Sequence, residues 1–319
     1  VNKEKAFQKA LEILKKEKDG INIIEYKPDF SIKALSTGIL GLDLATKIGG
    51  YPRGRIVEMF GPESGGKSTV SLVSIAKIQQ LGGNAVLIDA ENSFDPKWAK
   101  KLGIDINKLK VIQCDSGEDG LDAVDVCARS NAVDLIVVDS TAALTPKSII
   151  EGDMEDQHIG KLARMMSQGM MKLCNSISRS ETVVIFINQL RENIGIMWGD
   201  PETTPGGRAL KFYSSMRIKV FKIKSNINKK EGHRINVRIV KNKVGPPFGE
   251  AYFDLYYKGE IDDISGLFEM ALNNKIIKKE EKTYFFRDIK CIGQEKFKKL
   301  INDDKKICDD ILEALKKQI

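Results

Sequence analysis

The chain has little from which to build a metal-binding cluster. Its 319 residues include two histidines, His158 and His233, and five cysteines, Cys114, Cys127, Cys174, Cys291 and Cys308. No two cysteines have C-x-x-C spacing, so a Cys/His zinc site is not expected. The odd, unpatterned cysteine count points to reduced thiols in a cytosolic compartment. No apolar run approaches about 18 residues, which argues against a membrane span and a membrane partner. The opening VNKEKAFQKALEILKKEKDG lacks the apolar stretch of a secretory signal, so a cytoplasmic location is expected. Internal repeats and low-complexity tracts are also missing.

What is present fits a globular protein with a real core: 42% of residues are hydrophobic and 30% charged. A net charge of +7 is compatible with a polyanionic partner, though many globular proteins are as basic. Three regions separate. Residues 1–33 begin with an amphipathic helical pattern in which Ala6, Phe7, Ala10, Leu11 and Leu14 share one face. Residues 34–262 alternate strands and helices, with apolar strands at 56–60, 84–90, 134–140 and 182–189. Such continuous apolar strands imply an α/β fold with a mainly parallel sheet covered on both faces. The later MRIKVFKI and RINVRIV alternate polar and apolar residues, as antiparallel strands with one wet face do. From 263 to 319 lysines crowd the chain, and a small basic C-terminal domain is expected.

The strongest signal is Gly61, Pro62, Glu63, Ser64, Gly65, Gly66, Lys67, Ser68 and Thr69, a G-x-x-x-x-G-K-[ST] match between an expected strand and helix. Glycines let backbone N–H groups curl around phosphate, and the following helix presents its positive end. Lys67 supplies charge at the β- and γ-phosphates of ATP, and the Ser68 hydroxyl is a ligand for Mg²⁺. Asp139, at the carboxyl end of LIVVD, is placed to hold the same metal. Hydrolysis also needs a group that orients water. Glu91 lies just past VLIDA, with Asp89 as the competitor; position favours Glu91. Asp95 and Trp98 follow, and Trp98 alone reads as a partly buried surface aromatic.

Taken together, LSTGILGLD (35–43), GRIVEMFGPESGGKST (54–69), IDAENSFDP (88–96), VDLIVVDSTAALTPK (133–147), ARMMSQ (163–168), FINQLRENIGIMWGDPETTPGG (186–207), ALKFYSS (209–215) and VKNK (240–243) resemble the bacterial RecA recombinase family. The resemblance covers nearly the whole core in order; the PETTPGG loop and ARMMSQ are its narrowest marks. It implies a RecA-like P-loop NTPase core with an N-terminal helix and a small α/β C-terminal domain. The implied activity is DNA-dependent ATP hydrolysis by a helical filament on single-stranded DNA, with homologous pairing and strand exchange in recombination and repair. The implied partners are single-stranded DNA, double-stranded DNA as second substrate and further copies of the chain. A repressor whose self-cleavage the filament stimulates is an added candidate.

Carried over by position, Lys67, Ser68 and Asp139 bind phosphates and Mg²⁺, and Glu91 positions water. Asp95 and Trp98 lie near adenine, where the family more often has Tyr at the second place. Gln189 senses the γ-phosphate and signals to the DNA loop beside it. Lys241 and Lys243 reach the neighbouring protomer's ATP, and Phe212 is an interface residue. The N-terminal helix packs on the adjacent protomer.

Two segments, 151–160 and 190–204, resemble the family's DNA loops. The first is acidic, so contact is expected from its apolar end at Ile159. In the second, Ile196, Met197 and Trp198 are placed to insert beside bases. Backbone contacts are assigned to Arg164, Ser167, Arg191, Gly206, Gly207 and Arg208. The chain has Met171 where the family often has Arg, and Arg208 where it often has Asn; the two changes offset one another in charge. Lys275, Lys278, Lys279, Lys296, Lys298 and Lys299 are candidates to hold incoming duplex. The end, DDILEALKKQI, is not the acidic tail of many relatives, so weaker restraint of duplex uptake is expected.

Three other readings share parts of this pattern: a ring-forming helicase-class motor, a small-molecule P-loop kinase and a non-hydrolysing assembly paralogue. A closed ring would mark the first and an arginine-rich lid the second. The presence of both Glu91 and Asp139 argues against the third.

Overall fold

The computed structural model describes residues 2–17, 23, 32–153, 160–192, 202–224, 227 and 231–318. The chain divides into two compact units, Val1–Ile32 and Lys33–Ile319. Among the described residues the first contains one helix, Lys3–Glu17, whose stripe leaves Phe7, Ile13 and Leu14 exposed.

The second unit is organised around a sheet of nine strands among the described residues. From one edge they run Ile261–Asp262, Glu250–Tyr256, Gly232–Asn242, Met216–Ile223, Ile56–Gly61, Val183–Gln189, Leu135–Asp139, Ala85–Asp89 and Lys110–Ile112. The six strands from Met216–Ile223 to Lys110–Ile112 pair in parallel. These strands are apolar because helices cover both faces, so two separate apolar cores lie against the sheet. Met216–Ile223 is the junction: it pairs in parallel with Ile56–Gly61 and antiparallel with Gly232–Asn242. Its alternation is real, but it reflects a half-covered face and not an all-antiparallel setting.

The most deeply buried acid breaks the apolar rule. Glu58 sits fully buried in the central strand Ile56–Gly61. Its register partner on the neighbouring strand is Arg217, whose Nε donates to Glu58 Oε2 at 2.5 Å. Asn188 Nδ2 donates to the other oxygen at 3.2 Å and also to the Pro205 carbonyl at 3.1 Å. The guanidinium lies 4.4 Å from the centre of the Phe60 ring. A buried carboxylate is tolerable only when paired and hydrogen-bonded in this way.

Residues beyond the sheet form a third core. Helices Ile264–Asn273, Gln294–Asp303 and Lys305–Gln318 pack around a three-stranded antiparallel sheet, with Phe268, Tyr284 and Phe297 at the centre. Leu44 of the helix Leu40–Ala45 joins this core. Among the described residues no helix is long and apolar enough to cross a membrane.

Candidate nucleotide and DNA sites

The carboxyl ends of the parallel strands bring Gly61, Asp89, Asp139 and Gln189 to one edge of the sheet, where open α/β sheets bind ligands. The loop from Gly61 to Gly66 runs straight into the helix Lys67–Gln80. Its glycines are sterically obligatory. A β-carbon at Gly61 would lie 1.9 Å from the Val220 carbonyl oxygen, and one at Gly66 would lie 2.4 Å from Ile235 Cδ1. Gly66 also has φ +100°, in the left-handed region open to glycine. The cradle therefore fits a ligand read by backbone N–H groups at a helix N-terminus, as phosphate is.

Lys67 is nearly buried, and its ammonium donates to the Gly61 and Pro62 carbonyls at 3.1 and 2.7 Å. Burial lowers its pKa, against the opposing pull of Asp139, Glu91 and Glu63. Burial raises the Asp139 pKa to about 6, opposed by a hydrogen bond from Ser68 and aggravated by Glu91 and Asp89. A hydroxyl and a carboxylate already joined beside a phosphate cradle are a fitting donor pair for Mg²⁺.

Asp89 and Glu91, of which position favours the second, have different occupations. Asp89 is buried, and its two oxygens accept from the backbone N–H groups of Ser93 and Phe94, both at 3.1 Å. It fixes the loop. Glu91 is exposed at the cleft, and its carboxylate accepts from the Ser140 hydroxyl. The Glu91 N–H bonds the Asp139 carbonyl at 3.3 Å, so Glu91, two residues past its strand, stays beside the end of the Asp139 strand. Asp95 caps the short helix Pro96–Lys101, accepting from Lys97 N at 2.8 Å. Trp98 lines two cavities, one with residues 64–69 and the other with Ser68, Asp89, Asp95 and Asp139.

Gln189 is the register partner of Gly61, and the next N–H, of Leu190, donates to the Gly61 carbonyl at 3.0 Å. The second DNA segment thus starts at the mouth of the cradle. Arg191 and Glu192 pair with Thr203 and Glu202, closing its base, and Lys219 bonds both Glu202 oxygens at 2.6 Å. Gly206 and Gly207, at φ +87° and +75°, lie against Met166 and Ala163 of the helix Lys161–Ser178. Gly207, Arg208, Arg164, Ser167 and Arg191 are exposed. Ser167 donates to the Ala163 carbonyl at 2.8 Å. Ile159, Ile196, Met197 and Trp198 lie outside the described residues.

Lys241 and Lys243 are some distance along the chain from the cradle. Both ammonium groups bond the carbonyl end of the helix Ala209–Tyr213: Lys241 to Lys211 and to Phe212 at 3.2 Å, Lys243 to Phe212 at 3.0 Å. Burial, with Lys243 and Arg217 nearby, pushes the Lys241 pKa down to about 8. Phe212 is well exposed at 65%. Of the C-terminal lysines, Lys298 is committed: it pairs with Glu295 at 3.2 Å and lies over the Phe268 ring. The other five are exposed.

Sequence reasoning missed the Glu58–Arg217–Asn188 cluster, although a lone acid inside IVEMF was a visible sign of a buried pair. It also missed His233 and Tyr257, which line the cradle cavity. Only the path of the sheet brings them there.

A parallel sheet with this loop, an acid on the next strand and a second acid beyond it defines a P-loop ATPase. The RecA N-terminal domain family matches residues 5–262. The chain is 48% identical to Protein RecA of Thermus aquaticus over 302 residues, 93% of this chain and 88% of the relative. It is 45% identical to Protein RecA of Clostridium tetani over 319 residues and 47% identical to that of Clostridioides difficile over 317, each covering 98% of this chain and 91% of the relative. The chain belongs to the RecA family, and with it to the DNA-dependent ATPases that carry out strand exchange in homologous recombination and repair.

Proposed function

We propose that ATP turnover at the 61–69 cradle is coupled to single-stranded DNA through Gln189 and the segment that follows it. The observation that supports this most is the pairing of Gln189 with Gly61, together with the Asn188 bond to Pro205. Both ends of the 190–205 segment are thereby fastened to the strand next to the phosphates. Lys67 and the cradle N–H groups hold the β- and γ-phosphates. Ser68 and Asp139 hold Mg²⁺, which when bound neutralises charge on the phosphate oxygens. Glu91, steadied by Ser140, orients water for attack on the γ-phosphorus and takes its proton as ADP leaves.

Asp95 and Trp98 border the base. Lys241 and Lys243 leave the helix they cap and serve the ATP of the neighbouring protomer, acting as cationic groups in trans. Arg164, Ser167, Arg191, Gly206, Gly207 and Arg208 face the DNA backbone, with Ile159, Met197 and Trp198 toward the bases. The helix Lys3–Glu17 buries its exposed stripe on the next protomer, a heterologous contact that builds a filament. The segments 1–33, 34–262 and 263–319 then serve as assembly arm, motor and duplex-facing domain, working in the cytoplasm. The proposal extends to a repressor that cleaves itself on the filament.

The test is ATP hydrolysis with and without single-stranded DNA. Turnover is expected to rise with DNA, and Lys67→Ala is expected to lower the stimulated rate by about a hundredfold or more. Equal rates with and without DNA would remove the coupling.

A further inference from the structure

The helix Leu40–Ala45 is shared between two cores. Leu42 and Ala45 pack against the main sheet, and Leu44 joins the third core. Its N-cap residue is Ile39, whose side chain accepts no hydrogen bond, so the first N–H groups need a partner from elsewhere. Asp263 supplies it. Its carboxylate accepts from the Leu40 N–H and, at 3.4 Å, from the Gly41 N–H. The seam is tight at this point: a β-carbon at Gly41 would lie 3.1 Å from Ala251 Cβ and 3.9 Å from Asp263 Oδ1. Asp263 stands directly before the helix Ile264–Asn273 but makes no side-chain capping bond to it. Its carboxylate is committed to the facing helix instead.

The charge at this seam is unbalanced. Asp43, on the same helix as Leu40, accepts from the Ser36 hydroxyl at 2.6 Å and the Thr37 N–H at 2.7 Å. Asp262 accepts from the Ser265 N–H and hydroxyl at 2.9 and 2.6 Å. The Cys308 thiol, on the helix Lys305–Gln318, also feels the Asp263 charge. Lys77 lies near Asp43, and Lys47 and Lys316 share a cavity with it. Among the described residues no lysine or arginine forms an ion pair with Asp43, Asp262 or Asp263. Two N–H groups hold Asp263, but no cation offsets its charge.

We propose that Asp263 is a charge-sensitive catch between the third core and the helix Leu40–Ala45, gripping more firmly when protonated than when ionised. Burial raises the Asp263 pKa to about 6; the Leu40 and Gly41 bonds oppose the rise, and the charges of Asp43 and Asp262 add to it. When the seam opens, the carboxyl returns to water and to its ordinary value of 3.8. The closed seam therefore binds the proton more tightly than the open one. Closure is weakest above about pH 6, strengthens as the pH falls through that value and levels off below about pH 4. A protonated carboxyl keeps an accepting oxygen for the Leu40 N–H.

The test is hydrogen–deuterium exchange of the full chain, comparing the wild type with Asp263→Asn at about pH 7.5 and about pH 5. Rates corrected for intrinsic exchange give the protection of segment 39–46 and of the helix Ile264–Asn273. The variant side chain keeps an accepting oxygen but does not titrate. The ratio of wild-type to variant protection is expected to rise roughly tenfold from the higher pH to the lower. An unchanged or falling ratio overturns the proposal. Titration of the Asp263 carboxyl carbon in the wild-type chain, followed by NMR, decides the matter without a variant. A midpoint of about 6 is expected, and one at the ordinary value overturns the proposal.

Discussion

The phosphate cradle and the surface proposed to face DNA lie side by side but are built differently. The cradle is made of consecutive residues, and its shape is imposed by a backbone collision at Gly61 and by the left-handed backbone and the Ile235 side chain at Gly66. The surface proposed to face DNA draws on residues from three places: Arg164 and Ser167 on one helix, Arg191 in the short strand Arg191–Glu192, and the turn 206–208. What joins them is buried charge. Glu58 lies in the strand that runs into the cradle; its partner Arg217 shares a strand with Lys219, and its partner Asn188 reaches the carbonyl of Pro205. Local geometry can therefore specify a phosphate site, while the link from that site to a polymer needs long-range side-chain contacts.

The largest expected effect is on that link. Glu58→Ala leaves the Arg217 guanidinium buried without its carboxylate and is expected to lower stability by about 3–5 kcal/mol, read by denaturant unfolding. A loss below about 1 kcal/mol would mean the pair matters little to the fold.

Next comes a pH effect confined to the cradle. On the proposed reading Asp139 must be ionised to hold Mg²⁺, and burial raises its pKa to about 6. Lowering the pH through that value protonates the carboxylate, so MgADP affinity should fall on the acid side and level off above it. Asp139→Asn mimics the protonated form. Its affinity should match the wild type near about pH 5 and fall behind it above about pH 7. Curves that stay parallel across this range would place the metal elsewhere.

The smallest effect is expected at the DNA surface. Arg208 is exposed at the start of the helix Ala209–Tyr213. Arg208→Ala should weaken single-stranded DNA several-fold and reduce the slope of log affinity against log salt by about one. An unchanged slope would show that Arg208 does not offset Met171.

Legibility followed the same divide. IVEMF, NAVLIDA, DLIVVDS and TVVIFINQ revealed their strands because burial on both faces leaves a continuous apolar run. The cradle sequence 61–69 stood out because phosphate chemistry calls for particular residue types at fixed spacing, and Asp139 was proposed from its place at a strand's carboxyl end. Position favoured Glu91 over Asp89 only by its distance past the strand; the two backbone N–H groups held by Asp89 give that acid a separate occupation. His233 left no local trace, since only the antiparallel return of the chain from Met216–Ile223 brings it to the cradle. Lys298 read as a free cation, yet it is held by Glu295 and an aromatic face three-dimensionally adjacent to it.

The central claim is that Gln189 carries the message between phosphate and DNA. The direct measurement compares the wild-type chain with Gln189→Ala in MgADP affinity and in the increase of ATP hydrolysis on adding single-stranded DNA. The account predicts nearly unchanged MgADP binding with most of the DNA-induced increase lost. A variant that binds nucleotide normally and still responds fully to DNA would contradict it.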